Sequence, residues 1–147
     1  MSIDRADWHF NGDFPSDLPQ ENGGTHIGMF LAWIILNGFQ GESHKEDFPQ
    51  ELEAVRAREM TGREFLFKVC DGKFWEEDLN EEGKAFAAAY YSGEGGEGYG
   101  AYIQDYERLL TAGLPSIYHV EDTWSNYDII APVISRRHAE WRASSSG

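Results

Sequence analysis

Residues Ile27–Leu36 read IGMFLAWIIL, ten positions without one polar side chain. A helix that is apolar on every face is stable in water only when other parts of the chain surround it. As a helix the run covers only ~15 Å, half of the ~30 Å needed to cross a bilayer. It is therefore expected to be the central helix of a globular core, extended through Asn37 and stopped by Gly38 and Gly41, with Thr25 as its cap.

The rest of the chain carries further helical periods. Pro49 suits a first turn and opens a helix with Leu52, Val55 and Met60 on one side. Thr61 and Glu64 have capping-box spacing and precede EFLFKVC, which buries Phe65, Leu66 and Val69 and ends at Asp71-Gly72. Asn80 caps a fourth helix in NEEGKAFAAAYYSG, with Glu81 and Glu82 at its positive end. Tyr99, Tyr102, Ile103, Tyr106 and Leu110 mark a fifth. A sixth starts near Ser125 with Ile130, Val133, Ile134 and Trp141 inward, and Pro132 delays or kinks it. No alternating strand of five or more residues stands out. The expected fold is mainly α: a single compact domain of five to six helices around the apolar one, spanning 1–143, with an irregular N-terminal lead-in and a flexible tail at 144–147.

Charge narrows the partners. The chain has 26 acidic against 12 Lys and Arg residues, a formal net charge of -14. Long-range repulsion disfavours nucleic acid and anionic membrane as direct ligands. Residues 42–82 hold 13 acidic and 6 basic side chains, a net of -7. Five of those acids, Glu76, Glu77, Asp78, Glu81 and Glu82, fall within seven residues. That exceeds what one helix N-terminus uses, since the benefit fades within the first turn. They are the candidate contacts for a basic partner, together with Glu121, Asp122 and Trp124. A single cysteine, Cys70, excludes an internal disulfide and is expected as a buried thiol. The first residues form neither a basic n-region nor an apolar h-region, so a cytoplasmic location is expected.

Catalytic formulas are not met. Gly93, Gly95 and Gly98 spell G-x-G-x-x-G, but after a helix rather than a strand. DGKFWEEDLNEE has the length of a calcium loop, yet Lys73 and Trp75 occupy ligand positions and Glu76 replaces the turn glycine. No histidine pair has metal-binding helical spacing. Two looser clusters, Asp7 with His9 and Asp13, and His119 with Glu121 and Asp122, are the only candidates for a metal-dependent or acid/base enzyme. No catalytic residue, metal or cofactor is assigned.

Four segments, DWHFNGDFPSDLP, NGGTHIGMFLAWIILNG, REMTGREFLFKVCDGKFWEEDLNEEG and YHVEDTWSNYDIIAPVISRR, resemble a family of small acidic bacterial proteins found near secreted or polymorphic toxin genes. The resemblance implies an immunity-type inhibitor that neutralises a cognate toxin effector, most plausibly a basic nuclease. It carries over no catalytic residues. A small metal-dependent enzyme and an acidic adaptor are the competing readings.

Overall fold

The computed structural model describes residues 2–5, 17–92 and 101–145. Seven α-helices are present among them, with one two-stranded sheet. They are α1 (Thr25–Leu36), α2 (Glu42–Asp47), α3 (Pro49–Arg56), α4 (Gly62–Val69), α5 (Glu81–Ala87), α6 (Ala101–Leu110) and α7 (Trp124–Ser145). The strands β1 (Ser2–Arg5) and β2 (Lys73–Trp75) pair antiparallel. No helix is long and apolar enough to cross a membrane, among the described residues.

The apolar run occupies the centre, as its composition requires. Every residue of α1 from Thr25 to Ile35 is buried. Phe30 is the hub, with the rings of Trp33, Phe74, Phe86, Tyr90, Tyr91 and Tyr102 each within 6.3 Å of its own. Such aromatic pairs add to the burial of their area. Helices α1 and α4 cross at two glycines. A Cβ on Gly28 would lie 2.3 Å from the Arg63 nitrogen, and one on Gly62 would lie 1.8 Å from the Gly28 carbonyl oxygen. Any side chain at either position forces the helices apart.

Local signals in the sequence set most helix ends. Pro49 stands at the start of α3. Thr61 and Glu64 form the reciprocal capping box of α4, and Asn80 accepts from the Gly83 amide at the start of α5. Gly38 takes φ +79°, and Asp71 and Gly72 take φ of 56° and 73° after α4. Thr25 is a correction: α1 is entered from a 3-10 turn over Gln20–Gly24, and Thr25 lies inside the helix with Gly24 before it. The sixth expected helix is α7, which runs unbroken through Pro132 to Ser145, past the boundary expected at 143.

Three features were not anticipated. Strand β1 pins the chain start to β2, with a slip in register between Ser2 and Asp4. Helix α2 is too short and too charged to show a period. The α5 segment continues as a π-turn over Ala88–Ser92 rather than a regular helix. That turn sets two buried tyrosines side by side: Tyr90 donates to Asp105 Oδ2 at 2.6 Å and Tyr91 to Asp4 Oδ2 at 2.5 Å.

Candidate functional site

Helix α2 and the turn that follows β2 are built against each other. The Gly41 amide, just before α2, donates to the Asp78 carbonyl at 2.8 Å. A Cβ on Gly41 would lie 2.5 Å from the Glu77 carbonyl oxygen, so this approach requires glycine. The packing gathers acids that are 30 residues apart in sequence: Glu42, Glu46 and Asp47 are exposed on α2, and Glu77 is exposed on the 3-10 turn Glu76–Asp78, with Glu76 half-buried. Beyond them, an open groove of about 520 Å³ runs along α3, flanked by Glu53 and Glu59.

The five acids of the 76–82 segment divide into outward and inward groups. Glu81 is almost fully exposed, 3.6 Å from Lys84. Glu82 instead accepts from His138 at 2.8 Å and lies 3.9 Å from Arg142, which ties α5 to α7. Asp78 is buried. Its Oδ2 accepts from the Trp75 amide at 2.8 Å, and its Oδ1 faces His44 Nε2 at 2.8 Å. Only outward acids attract a partner at long range without first surrendering internal bonds.

The 121–124 stretch is mostly a brace. Asp122 accepts from the Thr61 hydroxyl at 2.7 Å and pairs with Arg63 at 3.3 Å. Burial pushes its carboxyl pKa up, against the pull of Thr61 and Arg63. Trp124 is half-buried under the Arg58 guanidinium, 4.7 Å from its ring centre, while Arg58 makes two hydrogen bonds to Asp128 at 3.0 and 2.7 Å. Glu121 is exposed. His119 pairs with Asp17 at 3.4 Å rather than with Glu121 or Asp122, so that loose candidate cluster is not drawn together. The other, Asp7 with His9 and Asp13, lies outside the described residues, as do Gly93, Gly95 and Gly98.

A different cluster is assembled. His44 from α2, Cys70 at the end of α4 and Asp78 after β2 offer ligand atoms within 4.8 Å of one another, and all three residues are buried. Burial pushes the Cys70 thiol well above its ordinary range, and the Asp78 charge adds to this. A buried thiol held protonated is a poor nucleophile. His44 Nδ1 is buried with no hydrogen-bond partner. No spacing motif announces this set, since each residue comes from a separate element. The readable signal was weaker: a histidine inside an acidic stretch and a cysteine closing an apolar stripe. In place of a calcium loop, Asp71–Glu82 forms a turn, strand β2, a 3-10 turn and the start of α5.

Residues 2–120 match a family described as a domain of unknown function, DUF7832. The chain belongs to the DUF7832 family. No curated protein and no solved structure matches it. The DUF7832 match ends at Val120, before α7, although Tyr127, Ile130 and Ile134 of that helix complete the core. Both halves of the α2 and β2-turn contact, and all three members of the His44 cluster, fall within the DUF7832 match.

Proposed function

We propose that this protein is an immunity-type inhibitor: it binds a cognate toxin effector, a basic nuclease, and neutralises it through an acidic surface. The observation that supports this most is the gathering of acids from α2 and the Glu76–Asp78 turn, held together by a contact that only glycine at position 41 permits. The net charge of -14 gives that surface a long reach. A basic nuclease is attracted to such a surface by the same field that draws it to its anionic substrate, and steering of this kind raises association rates steeply at low salt.

Within the candidate contacts the roles divide. Glu76, Glu77 and Glu81 act as steering charges, while Asp78, Glu82, Asp122 and Trp124 hold the surface in shape. Co-expression with a toxin-domain protein encoded beside it is expected to restore growth of cells that the toxin alone kills. The triple variant Glu76→Lys, Glu77→Lys, Glu81→Lys is expected to slow association at least ~10-fold in low salt and to flatten its salt dependence. Binding without inhibition of the toxin's activity would replace this reading with that of an acidic adaptor. Unchanged association by the triple variant would remove the acidic surface from recognition.

A further inference from the structure

We propose that His44, Cys70 and Asp78 form a binding site for a zinc-class divalent ion. Three features of the cluster point there together. The donor set is one imidazole, one thiol and one carboxylate, the ligand types that zinc takes in tetrahedral sites. The three residues are 6%, 9% and 8% exposed, which shields the site from competing water. Charge also balances: a thiolate, a carboxylate and a neutral imidazole around a dication sum to zero, the arrangement that burial tolerates best.

Geometry agrees with the chemistry. A tetrahedral ion with bonds of about 2.0–2.3 Å spaces its ligands at roughly 3.3–3.7 Å. The His44 Nε2 and Asp78 Oδ1 contact, now 2.8 Å, opens by about half an ångström, and the widest separation of up to 4.8 Å closes by about one. Asp78 already has the outer support a ligand carboxylate uses: its Oδ2 is fixed by the Trp75 amide, which leaves Oδ1 to take the ion. The imidazole already turns Nε2 toward the prospective co-ligand, so an ion between the two needs no change of ring face. Binding displaces the Cys70 proton, so the thiol that burial keeps protonated becomes the thiolate of the complex. The ion would then lock α2, the end of α4 and the Glu76–Asp78 turn together, and two of these carry the exposed acids.

The test uses the full chain, stripped with EDTA and then titrated with Co²⁺ alone and with Zn²⁺ alone. One equivalent of Co²⁺ is expected to give a thiolate-to-cobalt charge-transfer absorption, which Zn²⁺ then erases. Zinc at a hundredfold excess over its Kd is expected to raise the melting temperature by about 5–10 °C, reversibly with EDTA. Cys70→Ser should abolish the absorption and weaken zinc binding at least ~100-fold, the upper end of what loss of even an outer partner costs. Asp78→Asn keeps a single oxygen, which can serve the Trp75 amide or the ion but not both, so the decisive reading is the cobalt spectrum of the wild type. Absence of that absorption, or equal zinc affinity in the wild type and Cys70→Ser, means that surface acids alone collect the ion and overturns the proposal.

Discussion

Two buried histidine and aspartate pairs brace this molecule, and their surroundings differ. His26 Nε2 lies 3.3 Å from Asp4 Oδ2, which also accepts from Tyr91, while Tyr102 donates to the His26 carbonyl at 2.5 Å. That pair is set among tyrosine hydroxyls and ties β1 to α1. His44 and Asp78 make a closer contact at 2.8 Å, and their neighbour is the Cys70 thiol in place of tyrosine hydroxyls. The same two residue types thus serve a tyrosine-hydroxyl network in one place and a cluster of three metal-ligand types in the other. Buried polar groups raise the cost of any missing partner, so the first pair is expected to dominate stability and the second to dominate response to an ion.

The largest effect is expected at the first pair. Asp4→Ala removes the acceptor that the Tyr91 hydroxyl and His26 Nε2 face, and should cost roughly 3–5 kcal/mol, read from urea unfolding. Asp78→Ala in metal-free protein removes one contact to His44 and one to the Trp75 amide, each worth about 1–2 kcal/mol, so its loss should be smaller. If Asp78→Ala destabilises more than Asp4→Ala, the assignment of roles is reversed.

How far these pairs were legible follows from where their members lie. The apolar α1, the Thr61 and Glu64 box, Pro49 and Asn80 are read within a few residues, because caps and periods act locally. Asp4 meets His26 and Tyr91 only because β1, a four-residue strand, pairs with a three-residue one more than sixty positions on. Strands that short carry no alternation. His44 sits on a six-residue helix whose place is fixed by Gly41 against a distant carbonyl, a tertiary constraint with no local signature. The acid run 76–82 was visible as charge, but its division into outward Glu77 and Glu81 and inward Asp78 and Glu82 depends on partners at 44, 138 and 142.

Alkaline pH separates the two pairs further. Burial, reinforced by Asp78, raises the Cys70 pKa from an ordinary 9.0; burial, reinforced by Asp4, raises that of Tyr91 well above 10.0. For a group whose folded pKa is raised, stability is intact below the unfolded value and is lost as the pH climbs toward the folded one. Metal-free wild type should therefore weaken from about pH 9 through Cys70, by up to about 1.4 kcal/mol per pH unit, and more steeply above pH 10 as Tyr91 joins. Cys70→Ala is expected to remove most of the pH-dependent loss between pH 9 and 10, and Tyr91→Phe to change the slope only above pH 10, beside the pH-independent cost of its lost bond to Asp4. Saturating zinc should imitate Cys70→Ala, because a bound thiolate has no proton left to lose.

The smallest stability effect is expected from acids beside the second pair in sequence. Glu46, Asp47 and Glu77 are exposed on the two elements that carry His44 and Asp78, where water screens their charges. Replacing all three by their amides should leave the melting temperature within about 2 °C of the wild type, as is usual for surface positions. The same change lowers the field that a basic partner meets, so association should slow and its dependence on ionic strength should shrink. Zinc affinity should fall only slightly, since the ion is held by the three inward ligands and not by the field outside. A large drop in zinc affinity in this variant would mean that the outward acids themselves hold the ion, and the division between bracing and steering charges around His44 would have to be redrawn.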